Sequence, residues 1–256
     1  IKALLPHVTI ALGGPEFLGD NETFLRNNPF VSCVFRGEGE EVFPQWLASY
    51  ESTKQWASIH GMCFVDARNR YHDNGKAIVM NFDRLTPPEE SEFFNWGKPF
   101  VQLETTRGCF NTCAFCVSGG EKPVRTLSIE QIKQRLDLIH KHGIKDVRLL
   151  DRTFNYNMHR AKALLQLFKE YAPHMRFHLE IHPALLTEEL KKELVTLPTG
   201  LLHLEAGIQS LREEVLTISQ RKGGLENALQ GLSYLCSLPN MVTHAEIGRA
   251  SCRERV

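Results

Sequence analysis

The sequence predicts an α/β chain: a partial (β/α) barrel preceded by the end of a doubly wound sheet. Three observations predict it. From residue 101 onward, short apolar strands alternate with amphipathic stretches, the pattern of a parallel sheet built by right-handed crossovers. Residues 1–50 carry two successive strand–turn–helix units. And the barrel strands run into polar loops, where (β/α) folds keep their chemistry.

The elements follow in order. VTIAL (8–12) is a short apolar run ending in Gly13-Gly14-Pro15, read as a buried parallel strand and a tight turn. PFVSCVFRGEGEE (29–41) repeats the unit and leads into an amphipathic helix, EVFPQWLASY. Residues 57–82 alternate and contain Asp73-Asn74-Gly75, which indicates a β-hairpin acting as a connector. A Pro-rich linker, LTPPEESEFFNWGKP, follows. The expected divisions are thus 1–50, 51–99 and a barrel over 100–245.

Within the barrel, VQLETT is the first strand. Ser128 and Gln131 form a capping box for a helix with Ile132, Leu136 and Ile139 on one face, closed by Gly143. KDVRLLD (145–151) is the second strand, and residues 158–171 form a helix with Leu164, Leu165 and Phe168 inward. RFHLEI (176–181) is the third strand, and Thr187 caps a helix through Val195. LLHLEAG (201–207) is the fourth strand, Ser210 and Glu213 propose another capping box, and 225–237 is helical. MVTHA (241–245) starts a fifth strand.

Composition narrows the function. The chain has 256 residues, 42% hydrophobic, with 30 basic and 30 acidic side chains. Balanced charge gives no reason to expect a nucleic acid or an anionic membrane as partner. No apolar run approaches the roughly 20 residues of a membrane span, and no signal peptide opens the chain. The seven cysteines are odd in number and mostly scattered, which favours a reducing cytoplasm over a disulfide framework. The start IKALLPHVTIAL lacks an initiator Met and reads as a fragment. EIGRASCRERV (246–256) reads like a translated sequencing adapter, so Cys252 and its neighbouring arginines carry no functional weight.

Three cysteines cluster: Cys109, Cys113 and Cys116, in CFNTCAFC, directly after the first barrel strand. A thiolate trio at C-x3-C-x2-C spacing wraps one small soft-metal centre. Zinc with a fourth ligand from His140 or His142 is the alternative, although zinc sites usually add a second cysteine pair. Three buried thiols without a metal are the bland reading.

ETTRGCFNTCAFC, at the end of the first strand of a (β/α) series, resembles the radical SAM superfamily over roughly residues 100–245. The resemblance implies a 4Fe-4S cluster held by Cys109, Cys113 and Cys116, with S-adenosylmethionine (SAM) completing the fourth iron. It implies reductive cleavage of SAM to a 5'-deoxyadenosyl radical, driven by a reductant such as flavodoxin or ferredoxin. Phe115 matches the aromatic that packs near cluster and adenine, or is a core residue. Gly119-Gly120-Glu121 looks like the family's GGE motif but follows the cysteines too closely, so it reads as a loop turn. The second strand ends instead in LLDRTFN, which resembles cobalamin-binding members. There Asp151 and Thr153 are candidate SAM contacts, and Asn155 is either a contact or a helix N-cap. Glu180, Glu205, Gln209 and Ser210 are further SAM candidates, the last three through EAGIQS. Arg221 faces a carboxylate or is a solvated loop residue. His178, His182 and His203 read as packing or surface residues.

LGGPE (12–16) followed by NPFVSCVFRGEGEEVF (28–43) resembles the end of the Rossmann-like cobalamin-binding domain found before many radical SAM barrels. Gly13 and Gly14 would let the backbone approach a corrinoid. The resulting expectation is a radical SAM enzyme assisted by cobalamin, performing methyl transfer or a ring-forming or rearranging oxidation on an unknown substrate. The competing reading is a non-catalytic zinc or iron–sulfur binding module.

Overall fold

The structure, a computed structural model, describes residues 1–118 and 122–247. The Gly119–Glu121 turn and most of the adapter-like stretch, Cys252 included, therefore lie outside the described residues. The chain divides into two compact units, Ile1–Met80 and Asn81 onward.

The first unit is a four-stranded mixed sheet. Strands β1 (Ala11–Gly13) and β2 (Cys33–Phe35) run parallel, joined through helix α1 (Glu22–Asn27). Helices α2 (Val42–Leu47) and α3 (Thr53–Trp56) follow, then β3 (Met62–Val65) and β4 (Tyr71–Asp73). The sheet order is β1-β2-β3-β4. The hairpin is thus part of the same sheet as the two parallel strands, with β3 antiparallel to β2. Its chain reversal is not Asp73-Asn74-Gly75. The backbone turns at Asp66–Arg70, where the Asp66 amide donates to the Arg70 carbonyl at 2.9 Å and Asn69 takes a left-handed φ of 58°. Asp66 fixes this turn because its carboxylate accepts the Arg68 and Arg70 amides, an Asx-type alternative to a glycine turn. β1 also starts later than VTIAL implies, since its partner β2 is only three residues long. One face of the sheet packs Trp46, Trp56, Met62 and Phe64, and the other packs Leu25, Val31 and Val34. Burial pushes the Cys33 thiol up to about 12, so it acts as a core hydrophobe.

The second unit is the predicted barrel segment. Its strands are β5 (Phe100–Leu103), β8 (Asp146–Leu149), β9 (Arg176–Ile181), β10 (Leu202–Gly207) and β11 (Val242–Glu246). They pair in the order β11-β10-β9-β8-β5, all parallel. Between β5 and β8 lie two short strands, β6 (Thr106–Arg107) and β7 (Arg125–Thr126), then helix α4 (Ile129–Lys141). Helices α5 (Met158–Lys169), α6 (Glu188–Val195), α7 (Glu213–Ile218) and α8 (Leu225–Ser237) complete the crossovers. Strand alternation sorts the two faces. Phe177, Leu179, Ile181, Leu202, Leu204 and Ala206 are buried, whereas His178, Glu180, His203 and Glu205 are half-buried on the opposite face.

The caps show where local sequence decides. Ser128 accepts the Gln131 amide at 3.2 Å, and Thr187 accepts the Leu190 amide at 3.2 Å, as expected; the reciprocal half of the Ser128 box is replaced, because the Ser128 amide donates to the Asp83 carboxylate at 2.9 Å. The Ser210–Glu213 box does not form. Ser210 accepts the Arg212 amide at 3.2 Å, so it caps the turn before α7. Helix α5 is capped by Asn157, which accepts the Arg160 amide at 3.1 Å, and not by Asn155. Among the described residues, no helix is long and apolar enough to cross a membrane.

Candidate active site

The cysteine loop leaves the C-terminal end of β5 and is closed at its base. Strands β6 and β7, two residues each, pair antiparallel with Thr106 opposite Thr126 and Arg107 opposite Arg125. This clasp brings together the two ends of the segment that carries all three cysteines. Asp151 and Arg160 hold the clasp from outside, and Arg107 anchors it from within. Asp151, at the end of the second barrel strand and only 1% exposed, accepts the Thr105 and Thr106 amides at 2.8 and 2.9 Å and the Thr105 hydroxyl. Arg160 on α5 donates to the Thr105 and Leu127 carbonyls, each at 2.9 Å. Arg107 lies over the Phe82 ring at 4.6 Å and forms a two-pronged pair with Glu104 at 2.8 and 2.7 Å.

Asp151 is therefore committed to the loop. Its carboxylate oxygens are taken by three donors, and it does not line the cleft where Thr153 sits. Burial pushes its carboxyl upward, and the hydrogen bonds donated by Thr105 and Thr106 oppose that. The structure places it as a support of the cysteine loop, away from the residues that line the cleft.

Cys109 and Cys113 are buried, and Cys116 is half-buried; all three are free thiols. Phe115 is 41% exposed and so is not a core residue. Asn111, inside the loop and buried, has both side-chain amide atoms without a hydrogen-bond partner. Orphaned buried amide atoms beside three thiols suit a loop that folds around a further group. Among the described residues, no three His, Cys, Asp or Glu side chains converge on a point that could hold a single metal ion. Three free thiols in one short loop, without a second cysteine pair beside them, are a donor set that suits an iron–sulfur cluster. The histidines proposed as a fourth zinc ligand are also elsewhere. His142 stacks on Trp96 at 3.8 Å, and His140 contacts Tyr171 and His174. Both sit at the C-terminal end of α4, which the parallel topology puts at the opposite end of the strands from the cysteine loop.

A polar cleft opens at the C-terminal ends of β8, β9 and β10. Arg152, Thr153, Glu180, Glu205, Gln209 and Arg221 line it, and its enclosed volume is about 50 Å³. Glu180 and Glu205 are register partners on neighbouring strands. Burial pushes the Glu180 carboxyl up to about 6; Arg152 opposes the shift and Glu205 adds to it. Glu205 is oriented by His178, whose Nε2 lies 2.9 Å from its carboxylate. Gln209 adopts a left-handed φ of 76°, a conformation that a non-glycine residue holds only under constraint from its surroundings. Ser210 is buried, accepts the Arg212 amide and is not among the residues that line the cleft. Asn155 ties the strand ends together: its amide donates to the His182 carbonyl at 3.0 Å, and its oxygen accepts the His182 amide at 2.8 Å.

A profile of the radical SAM superfamily matches residues 103–245. The chain belongs to the radical SAM superfamily. An uncharacterized methyltransferase of Pyrococcus horikoshii is 28% identical over 168 residues, covering 62% of this chain and 37% of the relative. A tRNA-2-methylthio-N(6)-dimethylallyladenosine synthase of Coxiella burnetii is 26% identical over 233 residues, covering 86% of this chain and 48% of the relative. The cobalamin-dependent radical SAM enzyme OxsB, solved with aqua-cobalamin and SAM bound, shares the fold. Its TM-score is 0.72 at 18% identity, over 92% of this chain and 36% of that one. The chain thus spans less than half the length of each of these relatives.

Of the residues singled out from sequence, Thr153, Glu180, Glu205 and Gln209 meet in the cleft of this radical SAM fold, and the three cysteines share the clasped loop. Arg152 and Arg221 also line the cleft. Arg152 follows Asp151 directly and could have been found as the next residue of the same strand end. His182, set aside as packing, borders the cleft at 2% exposure. Gly13 and Gly14 lie in the first unit, at the end of β1. Gly14 has a φ of 111°, and a Cβ there would meet nothing within 4 Å, so backbone and open space adjoin.

Proposed function

We propose that this chain is the cluster-bearing part of a radical SAM enzyme that cleaves SAM reductively, with cobalamin as the second cofactor in methyl transfer. The observation that carries the reading is the clasped three-cysteine loop beside an acidic, partly desolvated cleft at the strand ends. A methyltransferase among the curated relatives, and an OxsB structure that holds both aqua-cobalamin and SAM, support the choice of reaction.

When bound, a 4Fe-4S cluster supplies the electron that breaks the carbon–sulfur bond of SAM, and cobalamin supplies a methyl carrier. The chain's own residues do the rest. Cys109, Cys113 and Cys116 are the residues that would hold the cluster, as thiolates. Glu180 and Glu205 face the cleft as acceptors for ribose hydroxyls, with Glu205 held in place by His178. Thr153 and Gln209 add neutral polar contacts, and Arg152 adds positive charge for the carboxylate end of the same ligand. Gly13 and Gly14 are the backbone positions that would meet the corrinoid. The partners this reading requires are an organic substrate and a low-potential donor of the flavodoxin or ferredoxin type.

The test is anaerobic reconstitution with iron and sulfide, followed by incubation with SAM and a strong reductant. The expected product is 5'-deoxyadenosine, which is lost on Cys113→Ala. Stable zinc in the cysteine loop, with SAM left intact, would support the zinc-binding module instead.

A further inference from the structure

The segment Ser219–Gly224, between α7 and α8, crosses the cysteine loop and is fastened to it at several points. The Ala114 amide donates to the Ser219 carbonyl at 3.0 Å. Arg221 Nη1 lies 3.9 Å from Cys113 Sγ, while its Nη2 donates to the Gly207 carbonyl at 2.8 Å. The Lys222 ammonium lies 5.8 Å from the Phe110 ring, next to Cys109. The segment's own path is fixed as well. The Ser219 hydroxyl and the Arg221 amide donate to the Leu216 carbonyl at 3.1 and 2.9 Å, and Gln220 takes a left-handed φ of 56°. One guanidinium thus bridges the end of β10 and a cysteine sulfur that is only 5% exposed.

We infer that this segment is a strap over the cysteine loop, and that Arg221 places its charge against Cys113 to raise the midpoint potential of the cluster held there. The inference rests on the cluster reading above. Cluster potentials are set by net charge, hydrogen bonds to the sulfurs and solvent exposure. The strap acts on all three. A guanidinium N–H facing a thiolate ligand withdraws electron density from it, a fixed positive charge favours the more negative reduced state, and the strap covers the loop. Low local dielectric strengthens the charge effect. In the reaction concerned, the oxidised cluster accepts one electron from a one-electron donor and no proton is needed.

The experiment is an EPR-monitored redox titration of the reconstituted protein without SAM, with iron and sulfide counted for each sample. Arg221→Gln is expected to load the same iron as the wild type and to titrate at a lower potential. Arg221→Lys keeps the charge but has no fork to span Cys113 and Gly207, so it is expected to recover most of the shift. An unchanged potential in the Gln variant overturns the inference. So does loss of iron from that variant, since Arg221 would then merely hold the loop. A wild-type protein that takes up no iron, or takes zinc, refutes the cluster reading itself and is told apart by the metal count.

Discussion

Asp151 and Asn155 stand four positions apart at the same strand end, and each spends its side chain on backbone at a distance. Asp151 serves Thr105 and Thr106, 46 and 45 positions away, and Asn155 serves His182, 27 positions away. Neither bond can be read from neighbours in sequence, which is why an N-cap suggested itself for Asn155. Asp151→Ala leaves two buried amides without an acceptor, and is expected to cost about 3 kcal/mol, read as a drop in thermal midpoint. The same variant should retain less iron after reconstitution, because the clasp loosens. Glu180 gives a pH signature. Its carboxyl is raised to about 6 in the fold, so the folded state holds its proton where the unfolded state has lost it. Stability is therefore lost as pH rises from the ordinary carboxylate range through about 6. Glu180→Gln is expected to raise the thermal midpoint at pH 7.5 and to leave it nearly unchanged at pH 4. His182 has the opposite sign. Burial pushes it down to about 3, and neighbouring Arg221 adds to this, so the fold keeps it neutral. Its contribution is complete above about 6.5 and is lost as pH falls toward 3; His182→Leu should flatten that acid limb of the stability profile.

At the scale of elements, what was legible in the sequence was local. The five parallel strands follow from apolar runs, and the Ser128 and Thr187 caps follow from a hydroxyl three residues before the amide it accepts. The exceptions have physical causes. The hairpin turn moved from Asp73-Asn74-Gly75 to Asp66–Arg70 because the Asp66 carboxylate collects the amides of Arg68 and Arg70. The β6–β7 clasp escaped notice because two residues per strand give no periodicity. Close packing is equally silent in sequence. Helix α8 rests on the 3-10 turn Pro183–Leu185 through Gly231, where a Cβ would stand 2.0 Å from the Pro183 carbonyl oxygen. Gly231→Ala must push the helix off that turn, and is expected to cost about 1–3 kcal/mol despite the higher helix propensity of Ala. Chemical denaturation should show this as a lower midpoint, with the parallel sheet retained.

For the whole molecule, the sequence pattern separated a doubly wound piece from a barrel, and the structure divides the chain at Met80. The functional side chains are distributed accordingly: the cysteine loop and the acidic cleft belong to the second unit, and Gly13-Gly14 to the first. The central claim is that Cys109, Cys113 and Cys116 hold a 4Fe-4S cluster with one iron left for SAM. EPR of the anaerobically reconstituted, reduced protein, recorded with and without SAM, tests it most directly. The expected result is four irons per chain and a spectrum that changes when SAM is added. Zinc in place of iron, or a cluster spectrum indifferent to SAM, would contradict it.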